Sequence, residues 1–92
     1  MYLRGQIVDR DTGQSLEGVL VECCGNQGCF HTYSNRRGRF QLKDLRPGHW
    51  SVAIVRPPYT ENYSQCFVGK QDVFIARSLE LPGLDDDPAV TG

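Results

Sequence analysis

No apolar run in this 92-residue chain approaches the roughly 18 residues that a membrane-spanning helix requires, so insertion into a bilayer is not expected. The opening Met1-Tyr2-Leu3-Arg4-Gly5 also lacks the apolar stretch of a signal peptide. The compartment is left open between the cytoplasm and delivery to the exterior as part of an assembly. Helical periodicity is nearly absent. Histidine occurs only at His31 and His49, and lysine only at Lys43 and Lys70. A concentrated excess of positive charge is missing as well. The formal net charge is −1, from 10 basic and 11 acidic residues. Asp85, Asp86 and Asp87 follow the last basic residue, Arg77, so without residues 82–92 ten basic residues stand against eight acidic ones. That excess is too small and too dispersed for the basic stripe of a nucleic-acid binder, and no nucleic-acid partner is expected.

A chain of 10.3 kDa folds as one domain around one thin core. Little of that core can be given up to a deep enclosed active site, which favours a binding module over an enzyme. Strand signals fill the chain. Leu3, Gly5 and Ile7 alternate with Tyr2, Arg4 and Gln6. Asp9-Arg10-Asp11-Thr12-Gly13 is a turn in which Asp caps the backbone. Val19, Val21 and Cys23 then face one way, and Gly25-Asn26-Gln27-Gly28 turns the chain into Cys29–Ser34. Asn35-Arg36-Arg37-Gly38 is the next turn and is read as a hairpin tip, followed by a strand from Arg39 to Leu45.

Arg46-Pro47-Gly48 presets a corner before Trp50, Val52 and Ile54, the clearest alternation in the chain, which Pro57-Pro58 ends. Gln65–Val68 forms a short strand. Val73, Ile75, Leu79 and Leu81 keep one phase through a last strand, with a bulge or exposed middle expected at Arg77. Seven short strands at this spacing make a β-sandwich.

The punctuation Gly5-x-Ile7-x-Asp9-x-x-Thr12-Gly13, Leu16-x-Gly18-Val19-x-Val21, Thr32-x-Ser34 and Gly38-x-Phe40-x-Leu42-x-x-Leu45-x-Pro47-Gly48-x-Trp50-x-Val52 resembles the carboxypeptidase regulatory-like family. The resemblance covers residues 3–81, and Tyr59 stands where that family often has an aromatic. It implies an all-β, seven-stranded antiparallel Greek-key sandwich of the transthyretin-like (prealbumin-like) kind over residues 1–81. Pro82 and the Gly- and Asp-rich residues that follow read as an acidic, flexible tail over 82–92. The motif specifies a backbone and no chemistry. Similar domains are appendages of carboxypeptidases, surface proteins, outer-membrane receptors and secretion spikes, so an accessory or adaptor role is implied.

Enzymes that share such a sandwich are not supported by these residues. Intradiol dioxygenases hold iron with two Tyr and two His and carry a His-x-His element that is absent here. Hydroxyisourate hydrolases end in Tyr-Arg-Gly-Ser, whereas this chain reads Ala89-Val90-Thr91-Gly92. Pilin-type sandwiches crosslink a first-strand Lys, and the first strand here offers Arg4 instead.

Cys23, Cys24, Cys29 and Cys66 leave three alternatives: free thiols, at least one disulfide, or a metal site. Cys23 and Cys24 point to opposite faces of a strand, so both cannot readily join one tetrahedron. The Gly25–Gly28 turn returns Cys29 toward Cys23 or Cys24 at disulfide range. No metal and no cofactor are expected. A Cys–His nucleophile using His31 lacks an orienting group, and no catalytic residue is assigned.

Two surfaces remain as candidate protein-binding sites. Arg36, Arg37 and Arg39 form the one basic cluster, whose bland alternative is a solubilising turn. Tyr59 and Tyr63, on the stiff loop after Pro57-Pro58, are broad contact residues; the alternative is that one tyrosine closes the sandwich end. The reading is a non-catalytic interaction or scaffolding domain with a protein partner, an accessory module of a bacterial envelope or secretion assembly. A small Cys/His-based metal-binding protein or enzyme and an inert spacer are the alternatives.

Overall fold

A computed structural model describes residues 2–82. Beyond Pro82, the tail expected over 82–92 lies outside the described residues, and so do the acidic Asp85–Asp87. Seven strands run in order: β1 Leu3–Asp9, β2 Leu20–Gly25, β3 Gly28–Tyr33, β4 Arg39–Leu42, β5 Gly48–Val55, β6 Asn62–Val68 and β7 Val73–Leu79. They form a three-stranded sheet, β4-β1-β7, and a four-stranded sheet, β3-β2-β5-β6. Between the sheets the alternating apolar residues of the sequence meet. Leu3, Ile7, Val21, Cys23, Val52, Ile54 and Leu79 are all buried to 1% exposure or less. Trp50 fills one end of this core and satisfies its indole N–H on the Arg46 carbonyl at 2.9 Å.

Five expectations are corrected. The sandwich is not wholly antiparallel: β1 and β7 pair in parallel from Leu3↔Val73 to Asp9↔Leu79. The two strands are separated by the entire four-stranded sheet, and that long connection lets the chain return in the same direction. Arg77 makes no bulge, since this ladder is unbroken and Arg77 sits opposite Ile7. β7 is an edge strand, so the long Arg77 stem leaves the sandwich at its margin, and such an inward-phase charge also blunts the edge. The strand ends at Leu79, leaving Leu81 exposed.

The Asn35–Gly38 turn is not a hairpin tip. It joins β3 of one sheet to β4 of the other and is a corner between sheets. Ser34 makes that corner: its hydroxyl donates to the Leu16 carbonyl at 2.6 Å and accepts from the Val19 amide at 2.9 Å. The fifth correction concerns β6, which starts at Asn62 and not at Gln65. Its inward side chains are Asn62, Ser64 and Cys66, while Tyr63 and Phe67 point out, so hydropathy alternates against the usual phase.

Two glycines are imposed by packing. A Cβ on Gly5 would overlap the Phe40 ring and the Ile75 carbonyl, so β1 carries Gly where the Phe40 ring crosses it. Gly38 adopts φ 74°, and its Cβ would overlap the Ile7 carbonyl.

Candidate functional site

The corner after β3 is built by Asn35. Its Oδ1 accepts from the Arg37 amide at 2.9 Å and the Arg39 amide at 3.0 Å, and its own amide donates to the Arg39 carbonyl at 2.9 Å. Gln6 Nε2 adds a bond to the Arg37 carbonyl at 3.2 Å. An Asn side chain that substitutes for backbone partners is what holds such a turn rigid. Arg36 and Arg37 therefore project from a fixed loop, both exposed.

Arg39 lies one step further, on the outer face of β4. Register places Gln41, Arg4 and Phe74 side by side across β4-β1-β7, and Arg39 beside Gln6 and Ala76 in the next row. Across the gap between the sheets stands Tyr33 of β3. Arg4, Arg39, Gln41, Tyr33, Asn35 and Phe74 surround an open depression of about 560 Å³. Tyr33 is 59% and Phe74 62% exposed. The Arg4 guanidinium lies 4.9 Å over the Tyr2 ring, a cation–π contact on the surface of the sheet. Among the described residues the one ion pair is Arg10–Glu80, so no carboxylate answers Arg4, Arg36, Arg37 or Arg39.

Tyr59 and Tyr63 are separated in role by the structure. The Tyr59 ring packs against the core and its hydroxyl donates to Asp9 Oδ2 at 2.6 Å, closing that end of the sandwich. The bond holds the Asp9 carboxyl below its ordinary range, aided by the Thr12 amide, and raises the Tyr59 hydroxyl. Tyr63 is exposed on the outer face of β6, with its hydroxyl on Glu61.

That outer face of the four-stranded sheet is a second surface. Its rows, read across β3-β2-β5-β6, are His31, Glu22, Ala53, Tyr63 and then Cys29, Cys24, Ser51, Gln65. Small Ser51 and Ala53 floor a shallow depression of about 480 Å³. Cys24 and Cys29 are directly opposite, with Cα atoms 4.0 Å apart, and form a disulfide. Cys23 and Cys66 are free. Burial, with Cys66 and Glu22 nearby, pushes the Cys23 thiol up to about 12. His31 shares its face with the bonded Cys29, whereas the free thiols belong to the inner face. His31 and the free thiols therefore lie on opposite faces of the sheet.

Sequence reasoning missed Arg4, Tyr33 and Phe74. Their strand parity marks them as outward-facing, but only the parallel β1–β7 ladder and the β3–β4 corner bring them together.

No protein-family model matches the chain, and no curated protein matches it. Solved structures do. The TIE protein of Bacillus anthracis superposes with a TM-score of 0.75 at 16% identity over 87% of this chain and 16% of its own. The major pilin subunit of Bacillus cereus gives 0.75 at 10% identity over 88% of this chain and 30% of its own. The 5-hydroxyisourate hydrolase of Klebsiella pneumoniae gives 0.71 at 18% identity, over 90% and 93%. The fold is a transthyretin-like sandwich. The same architecture thus serves as a small part of long proteins and as nearly the whole of an enzyme.

Proposed function

We propose that the chain is a non-catalytic protein-contact domain of the carboxypeptidase regulatory-like kind, an accessory or adaptor module of a bacterial envelope or secretion assembly. The carrying observation is the group of Arg4 and Arg39 with exposed Tyr33 and Phe74, flanked by Arg36 and Arg37 on a rigid corner. Arginine and tyrosine are the side chains that most often dominate protein contacts. Guanidinium groups with no ion-pair partner among the described residues, set around aromatic surface, favour an acidic partner surface.

A binding role also agrees with the chemistry present. Both depressions are open, and the one cluster of three metal-ligating side chains among the described residues has its two cysteines bonded to each other. The likeness to a pilin subunit supports placement in an envelope assembly, and Tyr63 offers a second contact point on the far sheet.

The test is capture from the native host by immobilised domain at two salt concentrations. Reversing Arg36, Arg37 and Arg39 to Glu should weaken capture at least about tenfold, the scale of a hot-spot contact. Capture should also fall with salt, and melting should move little because all three side chains are exposed. Capture that withstands the triple reversal would overturn the assignment of this surface.

A further inference from the structure

On the outer face of the four-stranded sheet, two adjacent cross-strand pairs form a block. Glu22 faces His31, and Cys24 faces Cys29, with Glu22-x-Cys24 on β2 and Cys29-x-His31 on β3. Residues two apart on a strand share a face, so all four side chains leave the sheet on one side. The ligating atoms of Glu22, Cys24 and Cys29 lie within 4.8 Å of one another. His31 is exposed and lies outside that 4.8 Å cluster, with its ring edge-on to Tyr33 at 5.9 Å, so it joins the other three only by leaving Tyr33 through a side-chain rotation.

We propose that reduction of the Cys24–Cys29 bond converts this block into a binding site for a borderline-soft divalent cation of the zinc type, held by both thiolates, the Glu22 carboxylate and the His31 imidazole. Two sulfurs, one nitrogen and one oxygen make a donor set that zinc accepts. Tetrahedral zinc with ordinary bond lengths needs its donor atoms about 3.3–3.8 Å apart. The bonded sulfurs are closer than that and must separate, a motion confined to side-chain torsions because the hairpin backbone holds both residues in register. The floor of Ser51 and Ala53 leaves an open approach beside Glu22 and Cys24. Glu22 has no salt-bridge partner among the described residues, so its charge remains for the ion.

Bond and ion exclude each other, because a metal ligates thiolate and not disulfide sulfur. A dithiol reductant opens the bond. One of its thiolates attacks one cysteine sulfur and expels the other as thiolate, and its second thiol then closes the reductant's own disulfide. Two electrons pass to the protein, and the two cysteines leave as thiols. The cation then displaces their two protons as it binds. The cysteine pair thereby couples local redox state to metal occupancy. Cys23, across the strand on the inner face, takes no part, in keeping with the opposite orientation of the adjacent cysteines.

The experiment uses the full chain, reduced by a phosphine and freed of excess reductant under inert gas. Zinc is titrated against a chromophoric chelator, and cobalt is titrated in parallel. One zinc per chain is expected, with proton release. Cobalt should show the visible bands of tetrahedral thiolate coordination. The oxidised protein should bind neither ion stoichiometrically. Glu22→Gln and His31→Ala change exposed side chains and should each weaken zinc at least about tenfold, in line with the cost of disturbing a metal site. Cys24→Ser with Cys29→Ser should abolish the cobalt bands, while Cys66→Ser keeps them. The proposal is overturned if reduced protein binds no stoichiometric zinc, if the Cys24/Cys29 double variant binds as well as wild type, or if oxidised protein binds equally. A reduced chain that is unfolded and stays unfolded with zinc, judged by the near-UV signal of Trp50, overturns it too.

Discussion

The Tyr59 hydroxyl donates to Asp9 Oδ2 at 2.6 Å, joining the loop after β5 to the last residue of β1. Asp9 Oδ1 meanwhile accepts from the Asp11 and Thr12 amides at 2.8 and 3.0 Å, so one carboxylate organises the first turn and anchors a loop fifty residues later.

This bond sets a pH dependence. The unfolded chain binds a proton at Asp9 near its ordinary 3.8 and the folded chain only at lower pH, so the contribution is full above 3.8 and disappears as pH falls through the folded value. Tyr59 behaves in the opposite sense. Its folded value is raised above 10.0, so its contribution is full below 10.0 and is lost as pH rises through the folded value. Tyr59→Phe should lower melting at neutral pH and flatten both the acid and the alkaline limb. Melting curves recorded from acid to alkali decide this; limbs equally steep in both proteins would sink it.

Thiol counting tests the cysteine pairing. Denatured, non-reduced protein should expose the two free cysteines, Cys23 and Cys66, and reduction should bring all four into reach. In the folded protein Cys23 should resist alkylation, because burial pushes its thiol up to about 12. Four thiols without reductant would exclude the bond.

Ser34→Ala should cost about 1–3 kcal/mol, because the Val19 amide and the Leu16 carbonyl both lose their partner in a buried corner. Urea denaturation measures it. An unchanged midpoint would mean that water replaces the hydroxyl freely.

Gly38→Ala and Gly13→Ala make an informative pair, since both glycines have positive φ, 74° and 77°. Nothing lies within 4 Å of a Cβ at Gly13, so that change should cost only the left-handed penalty of about 1–2 kcal/mol. At Gly38 the Cβ also overlaps the Ile7 carbonyl, so the loss should be clearly larger and the Arg36–Arg39 corner should shift. Equal losses in thermal unfolding would contradict the packing argument.

Much of the fold was legible in the residues because burial and turns are local signals. The alternations through Leu3–Ile7, Val19–Cys23 and Trp50–Ile54 mark three strands and their inward faces, and each is buried as marked. Strand β6 was half hidden, because its inward residues Asn62, Ser64 and Cys66 are polar or small and its aromatics point outward. The basic cluster at Arg36–Arg39 was visible as charge, but its companions Arg4, Tyr33 and Phe74 were not.

The small β-sandwich built on Gly, Pro and alternating apolar residues was therefore determined by the sequence itself, since strand parity and turn chemistry act over a few residues. Which strands meet was decided only in three dimensions. The parallel β1–β7 ladder and the corner between β3 and β4 depend on the packing of two sheets whose partners are distant along the chain. The choice of Cys24 over Cys23 as the partner of Cys29 depended on hairpin register, because a slip of one residue would have sent the other cysteine to that face.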